Sequence, residues 1–180
     1  MNRIHAGAYR RIIKGHILVG IPAGAALNIL DAGCGGGIVL RIFSTLLPAA
    51  SVFGIDHSPD MVRLSLETNR TGAAGGTVRV ETADIASIPH PDGTFDIVTA
   101  FDTLNFWPDP ESALKEIRRI LKKGGVFCIV NGYPEEGTKW YDFVRFKNAD
   151  EYREFLNRQG FGKIDIAFDG KRTIVIKARV

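Results

Sequence analysis

Apolar residues along this chain alternate between two rhythms. Leu27-Asn28-Ile29-Leu30, Val52-Phe53-Gly54-Ile55, Phe95-Asp96-Ile97-Val98-Thr99-Ala100-Phe101 and Val126-Phe127-Cys128-Ile129-Val130 are short branched or aromatic runs, as buried parallel strands require. Between them Val39, Leu40, Phe43, Leu46 and Leu47 fall on one face of a helix over Ile38 to Leu47. Ala113, Leu114, Ile117, Ile120 and Leu121 repeat the pattern later. Val78 to Ile85 alternates apolar and polar, which predicts a third strand nearer the sheet edge.

Punctuation marks the same elements. Ser58-Pro59 and Asp109-Pro110 each read as an N-cap followed by proline at the first helical position. Arg118, Arg119, Lys122 and Lys123 load the end of the second of these helices, and Gly124 is placed to stop it. Asn148 and Glu151 form a capping box before Tyr152, Phe155 and Leu156, with Gly160 closing that helix. Lys163 to Phe168 and Arg172 to Val180 read as strands joined by a two-residue turn at Asp169-Gly170, which joins only antiparallel neighbours. Before Leu27, the spacing of Tyr9, Ile12, Ile13, His16 and Ile17 predicts a helix. It serves equally as a lid over a site or as packing on the sheet edge.

The most informative stretch is Asp31-Ala32-Gly33-Cys34-Gly35-Gly36-Gly37, where the first strand breaks into glycines before a helix. That geometry lets backbone N–H groups approach a nucleotide-like ligand, which a Cβ at these positions would hold off. Ile38 stands where the dinucleotide fingerprint has its third glycine, so the pattern is Asp-x-Gly-x-Gly-x-Gly instead. Asp56 ends the second strand about 20 residues further on, where an acid binds ribose hydroxyls. Asp84 ends the third strand. Taken with Phe95-Asp96, the aromatic-Pro-Asp turn at Trp107-Pro108-Asp109, and Leu121 to Gly125 leading into a strand, this order resembles the class I S-adenosylmethionine-dependent methyltransferases from about Leu27 to the C-terminus.

The resemblance implies an α/β fold: a Rossmann-like, doubly wound seven-stranded sheet, mostly parallel with an antiparallel C-terminal hairpin strand. It implies a single domain over residues 1–180, with residues 1–26 as a candidate lid helix. It also implies S-adenosyl-L-methionine as cofactor and a transferase activity. Asp31, Gly33, Cys34, Gly35 and Gly37 would meet the methionine moiety. Asp56 and His57 would meet the ribose and Asp84 and Ile85 the adenine, with Met61 also among the cofactor-binding residues. Ala100 and Phe101 would lie near the amino-acid part. A base, where one is needed, comes from Asp102, Asn105, His57 or Tyr9, and Phe106 and Trp107 form either an aromatic wall or core packing. Acceptor choice falls to the N-terminal segment and residues 131–149. With no large cap, the pocket is open or completed by a second subunit as a homodimer, and the acceptor is expected to be a small molecule. Two alternatives stay open: a non-catalytic cofactor-binding regulatory or interaction protein, and an NAD-binding oxidoreductase domain, which the glycine spacing and terminal hairpin disfavour.

Composition narrows these readings. The 180 residues are 45% hydrophobic, enough for one core. Net charge is +3 with no long basic run, so nucleic acid is not a favoured substrate. Cys34 and Cys128 provide no disulfide framework and suit a reducing cytoplasm; His5, His16, His57 and His90 are scattered, so no metal site is expected. Ile17 to Leu30 superficially resembles a signal peptide, but Gly20, Pro22, Gly24 and Asn28 interrupt it, and it is too broken to cross a membrane.

Overall fold

The computed structural model describes residues 3–180, with side chains from Ala6 onward, so residues 1–2 of the expected lid and the His5 side chain lie outside the described residues. In chain order the elements are α1 (Arg3–Ile12), β1 (Asn28–Ala32), α2 (Ile38–Leu46), β2 (Ser51–Asp56), α3 (Pro59–Thr68), α4 (Arg70–Ala74), β3 (Val78–Thr82) and β4 (Phe95–Phe101). α5 (Pro110–Ile120), β5 (Leu121–Gly132), α6 (Lys139–Phe143), α7 (Ala149–Arg158), β6 (Gly162–Phe168) and β7 (Thr173–Arg179) follow. The sheet order is β3-β2-β1-β4-β5-β7-β6; β7 runs antiparallel to both its neighbours, while every other pairing is parallel. β1 and β4 are adjacent although β2 and β3 lie between them in sequence, and this reversal of winding opens a crevice beyond the carboxyl ends of the two strands.

Both sheet faces are covered, which is why the central strands are apolar throughout. Phe95, Leu114, Ile117, Phe127, Tyr152 and Ile176 pack beneath α5 and α7. Ile12, Ile13, Leu40, Phe43, Ile29 and Val130 pack beneath α1 and α2. The three proposed caps form as their residue types predict: Ser58 Oγ accepts from Met61 N, Asp109 accepts from Glu111 N and Ser112 N, and Asn148 Oδ1 accepts from Glu151 N. The Glu151 carboxylate, however, accepts from Lys147 N and the Asn148 amide rather than closing the box on the Asn148 backbone. Among the described residues no helix is long and apolar enough to cross a membrane.

Three expectations need correction. α5 ends at Ile120, not at Gly124, because Leu121 turns extended and pairs with Phe95. Gly124 sits inside β5 at φ +78°, beside a register irregularity, and Lys122 meets Asp96 at 2.8 Å instead of facing the helix end. The alternating third strand stops at Thr82, as Ala83 N donates to the Asp56 carbonyl. The terminal turn is longer than two residues: Asp169 N donates to Thr173 O at 3.0 Å, so Gly170, Lys171 and Arg172 all lie in the loop. The Asp169 carboxylate binds Arg11 of α1 at 2.5 and 3.2 Å, and this guanidinium holds it below the usual carboxylate range. α1 itself runs on as a π-helical turn over Ile13–Ile17, which buries Ile13 and Ile17 with Ile12.

Candidate functional site

At the tip of β1 the chain turns through Gly33 (φ +80°), Gly35 (+48°) and Gly37 (+77°), all in the left-handed region that side chains resist. Their surroundings differ. A Cβ on Gly33 would lie 2.3 Å from Thr103 Oγ1, and one on Gly37 would lie 2.2 Å from Ser65 Oγ. The protein itself fills these two positions, so the expectation that all the glycines make room for a ligand is corrected there. Gly35 alone of the three faces open space, with nothing within 4 Å of its Cβ position, and it lines a cavity.

Backbone and buried polar groups hold the loop in place. Gly33 N and Cys34 N both donate to the Ile55 carbonyl at 2.9 Å, and Gly37 N donates to Cys34 O. Asp56, almost fully buried, accepts from Gly35 N through one oxygen (2.9 Å) and Ser58 N through the other (3.0 Å), so it ties the loop to the start of α3. From α3 and its end, buried Asn69 donates to the Gly37 carbonyl at 2.9 Å. α2 then begins with no side-chain cap, and Ile38 and Val39 of its first turn line the cavity. Unpaired first-turn N–H groups and the positive end of the helix dipole favour an anionic group there.

The cavity, of about 260 Å³, lies between this loop and the ends of β4 and α1, and includes Asp31, Phe101, Asp102 and Thr103. Asp31 is 1% exposed and accepts from Thr99 Oγ1 at 2.7 Å. Burial pushes its carboxyl up to about 7, against the Thr99 hydrogen bond and with a smaller push from the Asp56 charge. Asp102 adopts φ +52°, rare outside glycine, with both oxygens engaged. Oδ2 accepts from Tyr9 Oη at 2.6 Å and Oδ1 from Gly132 N at 2.9 Å, joining α1, β4 and β5 at one carboxylate. The Tyr9 ring meets Phe101 edge-on at 5.0 Å, and burial followed by the Asp102 contact raises its phenol well above the ordinary range, so Tyr9 stays a donor at neutral pH. Hollows of about 600 and 320 Å³ elsewhere do not touch the loop.

Of the four candidate bases, the structure brings Tyr9 and Asp102 together at the cavity. Asn105 accepts from Arg145 N at 3.2 Å, and the His57 side chain, 92% exposed, lies at the tip of β2 beside Asp56. Cys34 lines the cavity, and burial raises its thiol strongly; Gly37 faces α3. Met61 is at the surface of α3; Asp84 is exposed, accepting from Ala86 N, next to half-buried Ile85. Ala100 is packed in the core while Phe101 reaches the cavity. Trp107 is core, donating to Thr103 Oγ1 at 3.2 Å, whereas Phe106 is 61% exposed. Thr99, Thr103, Ser65, Asn69 and Gly132 went unmarked in the sequence. Only for Ser65 and Asn69 was there a signal, two polar residues four apart on the buried side of a helix. Among the described residues no group of three or more His, Cys, Asp or Glu is placed to hold a metal.

Residues 30–129 match the family described as "Methyltransferase domain". The chain is 29% identical to 2-methyl-6-phytyl-1,4-hydroquinone methyltransferase 1, chloroplastic, of Oryza sativa over 146 residues, which cover 78% of this chain and 42% of that protein. It is 38% identical to demethylmenaquinone methyltransferase of Thermus thermophilus over 111 residues, covering 61% of this chain and 49% of that one. The chain thus spans less than half the length of either relative. A crystal structure of a SAM dependent methyltransferase from Aquifex aeolicus superposes with TM-score 0.78 at 19% identity, over 99% of this chain and 98% of that one, so the fold is shared end to end.

Proposed function

Because this chain belongs to the methyltransferase domain family, we propose that it binds S-adenosyl-L-methionine at the glycine-loop cavity and transfers its methyl group to a small-molecule acceptor. The observation that carries this reading is the pairing of an open cradle at Gly35 with two carboxylates, Asp31 and Asp102, and an uncapped helix start in one cavity. The donor set suits a ligand bearing a carboxylate, an ammonium and a sulfonium, since acids face the cations and helix N–H groups face the anion.

When bound, S-adenosyl-L-methionine supplies a methyl carbon already activated by the positive sulfur. The protein's share of the work is positioning. Asp31 and Gly35 would hold the amino-acid part, with Phe101 and Cys34 lining the same cavity. Asp56, with lone pairs left after its two backbone contacts, and exposed His57 would serve the ribose, and Asp84 and Ile85 the adenine, with Met61 also at the cofactor. Tyr9 and Phe101 exclude water, which would otherwise hydrate the nucleophile. Tyr9 Oη and Asp102 are the groups on hand to orient an acceptor hydroxyl or take its proton, for the donor and the acceptor of that pair meet at the cavity wall. The names of the rice and Thermus relatives give small molecules as their acceptors, which supports the same class here. Two buried unpaired cysteines suit a reducing, cytoplasmic setting.

Calorimetry with S-adenosylhomocysteine tests the cofactor: binding that is lost in Asp56→Ala supports the reading, and no heat with folded protein sinks it. Binding without release of S-adenosylhomocysteine from the methyl donor across an acceptor screen would leave a cofactor-binding protein without catalysis.

A further inference from the structure

The hollow of about 320 Å³ lies at the opposite end of the sheet from the glycine loop, where β4 and β5 begin and β7 ends. One wall is the irregular segment that follows the π-helical turn, with Val19 and Ile21, and the lining between the strands is apolar at Leu27, Val126 and buried Cys128. Val19 is 65% exposed, so apolar surface is open to a ligand on this side.

Four cations and one acid surround that apolar lining. Asp96 is fully engaged, since both its oxygens accept from Lys122 Nζ at 2.8 Å and one of them also accepts from Asn28 N at 2.8 Å. Lys122 is neutralised by this pair. Lys123, Lys177 and Arg179 are not, for among the described residues none of the three is in ion-pair contact with an acid. Asp165 stands opposite Lys177 across β6 and β7, but it is exposed and forms no ion pair with it. Arg179 donates one N–H to the Gly124 carbonyl at 3.0 Å and keeps its other donors.

Lys177 is the informative member of the three. It is half-buried beside Cys128 in the β5–β7 register, and its charge, with that of Arg179, works against the burial that pushes the Cys128 thiol up to about 12. A cation partly withdrawn from water over apolar surface is unfavourable until an anion faces it. The cations and Asp96 together give the hollow a net charge of +3, equal to that of the whole chain, so the remaining surface is balanced and an anion is drawn here.

We infer that this hollow is a second ligand site, for a small anionic amphiphile whose head meets Lys123, Lys177 and Arg179 while its apolar body lies on Leu27 and Val126 beside Val19 and Ile21. Both halves of the ligand are required. Salt screens an inorganic ion from exposed Lys123 and Arg179, and an uncharged apolar molecule leaves Lys177 without a counter-charge. At roughly 30 Å³ for a group the size of water, the hollow suits a ligand of about ten heavy atoms. None of its lining residues is shared with the glycine-loop cavity, so the site stands apart from the methyl-transfer reading.

The test is an NMR titration with octanoate, 1-octanol and inorganic phosphate, following the assigned backbone amides of Gly124, Gly125 and Val126 and those of the glycine loop. Octanoate should shift the first group saturably, at concentrations at least tenfold below either of the other probes, and leave Gly33 to Gly37 unmoved. Lys177→Gln/Arg179→Gln should weaken octanoate at least tenfold. Val19→Asp, a change at an exposed position, should do the same by placing a like charge at the rim, and both variants should keep the calorimetric affinity for S-adenosylhomocysteine. Equal binding of phosphate would reduce the hollow to a simple ion site, and equal binding of octanol would leave the cations without a role; either overturns the inference. So does an octanoate response confined to the glycine loop, or octanoate binding that both variants retain. Binding to phosphatidylglycerol vesicles with no response to octanoate would overturn it too, because the face would then meet a membrane surface instead of a small ligand.

Discussion

The two walls of the site are made differently. On the glycine-loop side the chain is fixed by backbone: Gly33 and Cys34 hang from the Ile55 carbonyl, Asp56 and Asn69 clamp the loop from β2 and α3, and Cβ positions at Gly33 and Gly37 are occupied by neighbours. On the opposite side, Tyr9, Phe101, Asp102 and Thr103 line the cavity with side chains, and the turns beyond them leave Phe106 and Phe143 exposed. A wall built of backbone admits one ligand geometry and tolerates little change. A wall built of side chains on short turns is free to change what it recognises without disturbing the sheet.

The strongest way to break this contrast is at the glycines. Gly37→Ala must accept a left-handed backbone and a clash with Ser65, so we expect a loss of about 2–5 kcal/mol in denaturant unfolding, with cofactor binding lost as well. Gly35→Ala carries only the backbone cost of about 1–2 kcal/mol, because its Cβ meets open space, yet it would fill the cradle proposed for the cofactor. If Gly35→Ala weakens S-adenosylhomocysteine less than it weakens the fold, the cradle is misplaced.

Next in size is the titration of Asp31. Its carboxyl is raised by burial to about 7, so the folded state binds a proton more tightly than the unfolded state. This group's stabilising share is therefore full at low pH, and it declines as pH rises from about 4 through 7. Binding of the ligand ammonium should run the other way and strengthen as pH rises through 7, by up to about tenfold per pH unit below that point. Calorimetry between pH 5.5 and 8 would show this slope, and Asp31→Asn should flatten it.

Tyr9→Phe comes third. It removes one hydrogen bond to a carboxylate while keeping the ring on Phe101, and we expect about 1–2 kcal/mol of stability to go with it, together with faster amide exchange in α1. Unchanged exchange would mean that Ile12, Ile13 and the Arg11–Asp169 pair hold α1 without this hydrogen bond. The smallest effect belongs to the exposed turn after β5: Phe143→Ala should change stability by less than about 0.5 kcal/mol, the ring being more than half exposed. A loss as large as that of Gly37→Ala would erase the distinction between the two walls.

The same contrast governs what the sequence discloses. Strand and helix starts are legible because their determinants are local: Ser58-Pro59, Asp109-Pro110 and Asn148 act on backbone groups two or three residues away. β4 is legible at both ends because its apolar run, Phe95 to Phe101, coincides with its limits. α5 is misjudged at its end because pairing of Leu121 with Phe95, a distant partner, overrides the local stop at Gly124. Asp31 and Asp56 stand out as strand-end acids, but the loop's clamp at Asn69 is 32 positions from Gly37, so nothing near Asn69 names its partner. Asp102 is visible as an acid, whereas its positive φ and its bond to Tyr9 depend on how α1, β4 and β5 meet.

The ion pair between Arg11 and Asp169 spans 158 positions, nearly the whole chain, and joins α1 to the loop between the last two strands. During synthesis α1 therefore waits for this partner until 158 further residues have been added. Its other anchors, Asp102 and the sheet face under Ile12 and Ile13, come earlier but are also distant in sequence. Contacts of such separation are late and slow to form, so α1, although made before the sheet, should be among the last elements to dock on it. A nascent chain halted before Asp169 should accordingly show rapid amide exchange over residues 3–12, and protection there at that stage would assign the docking of α1 to its apolar face alone.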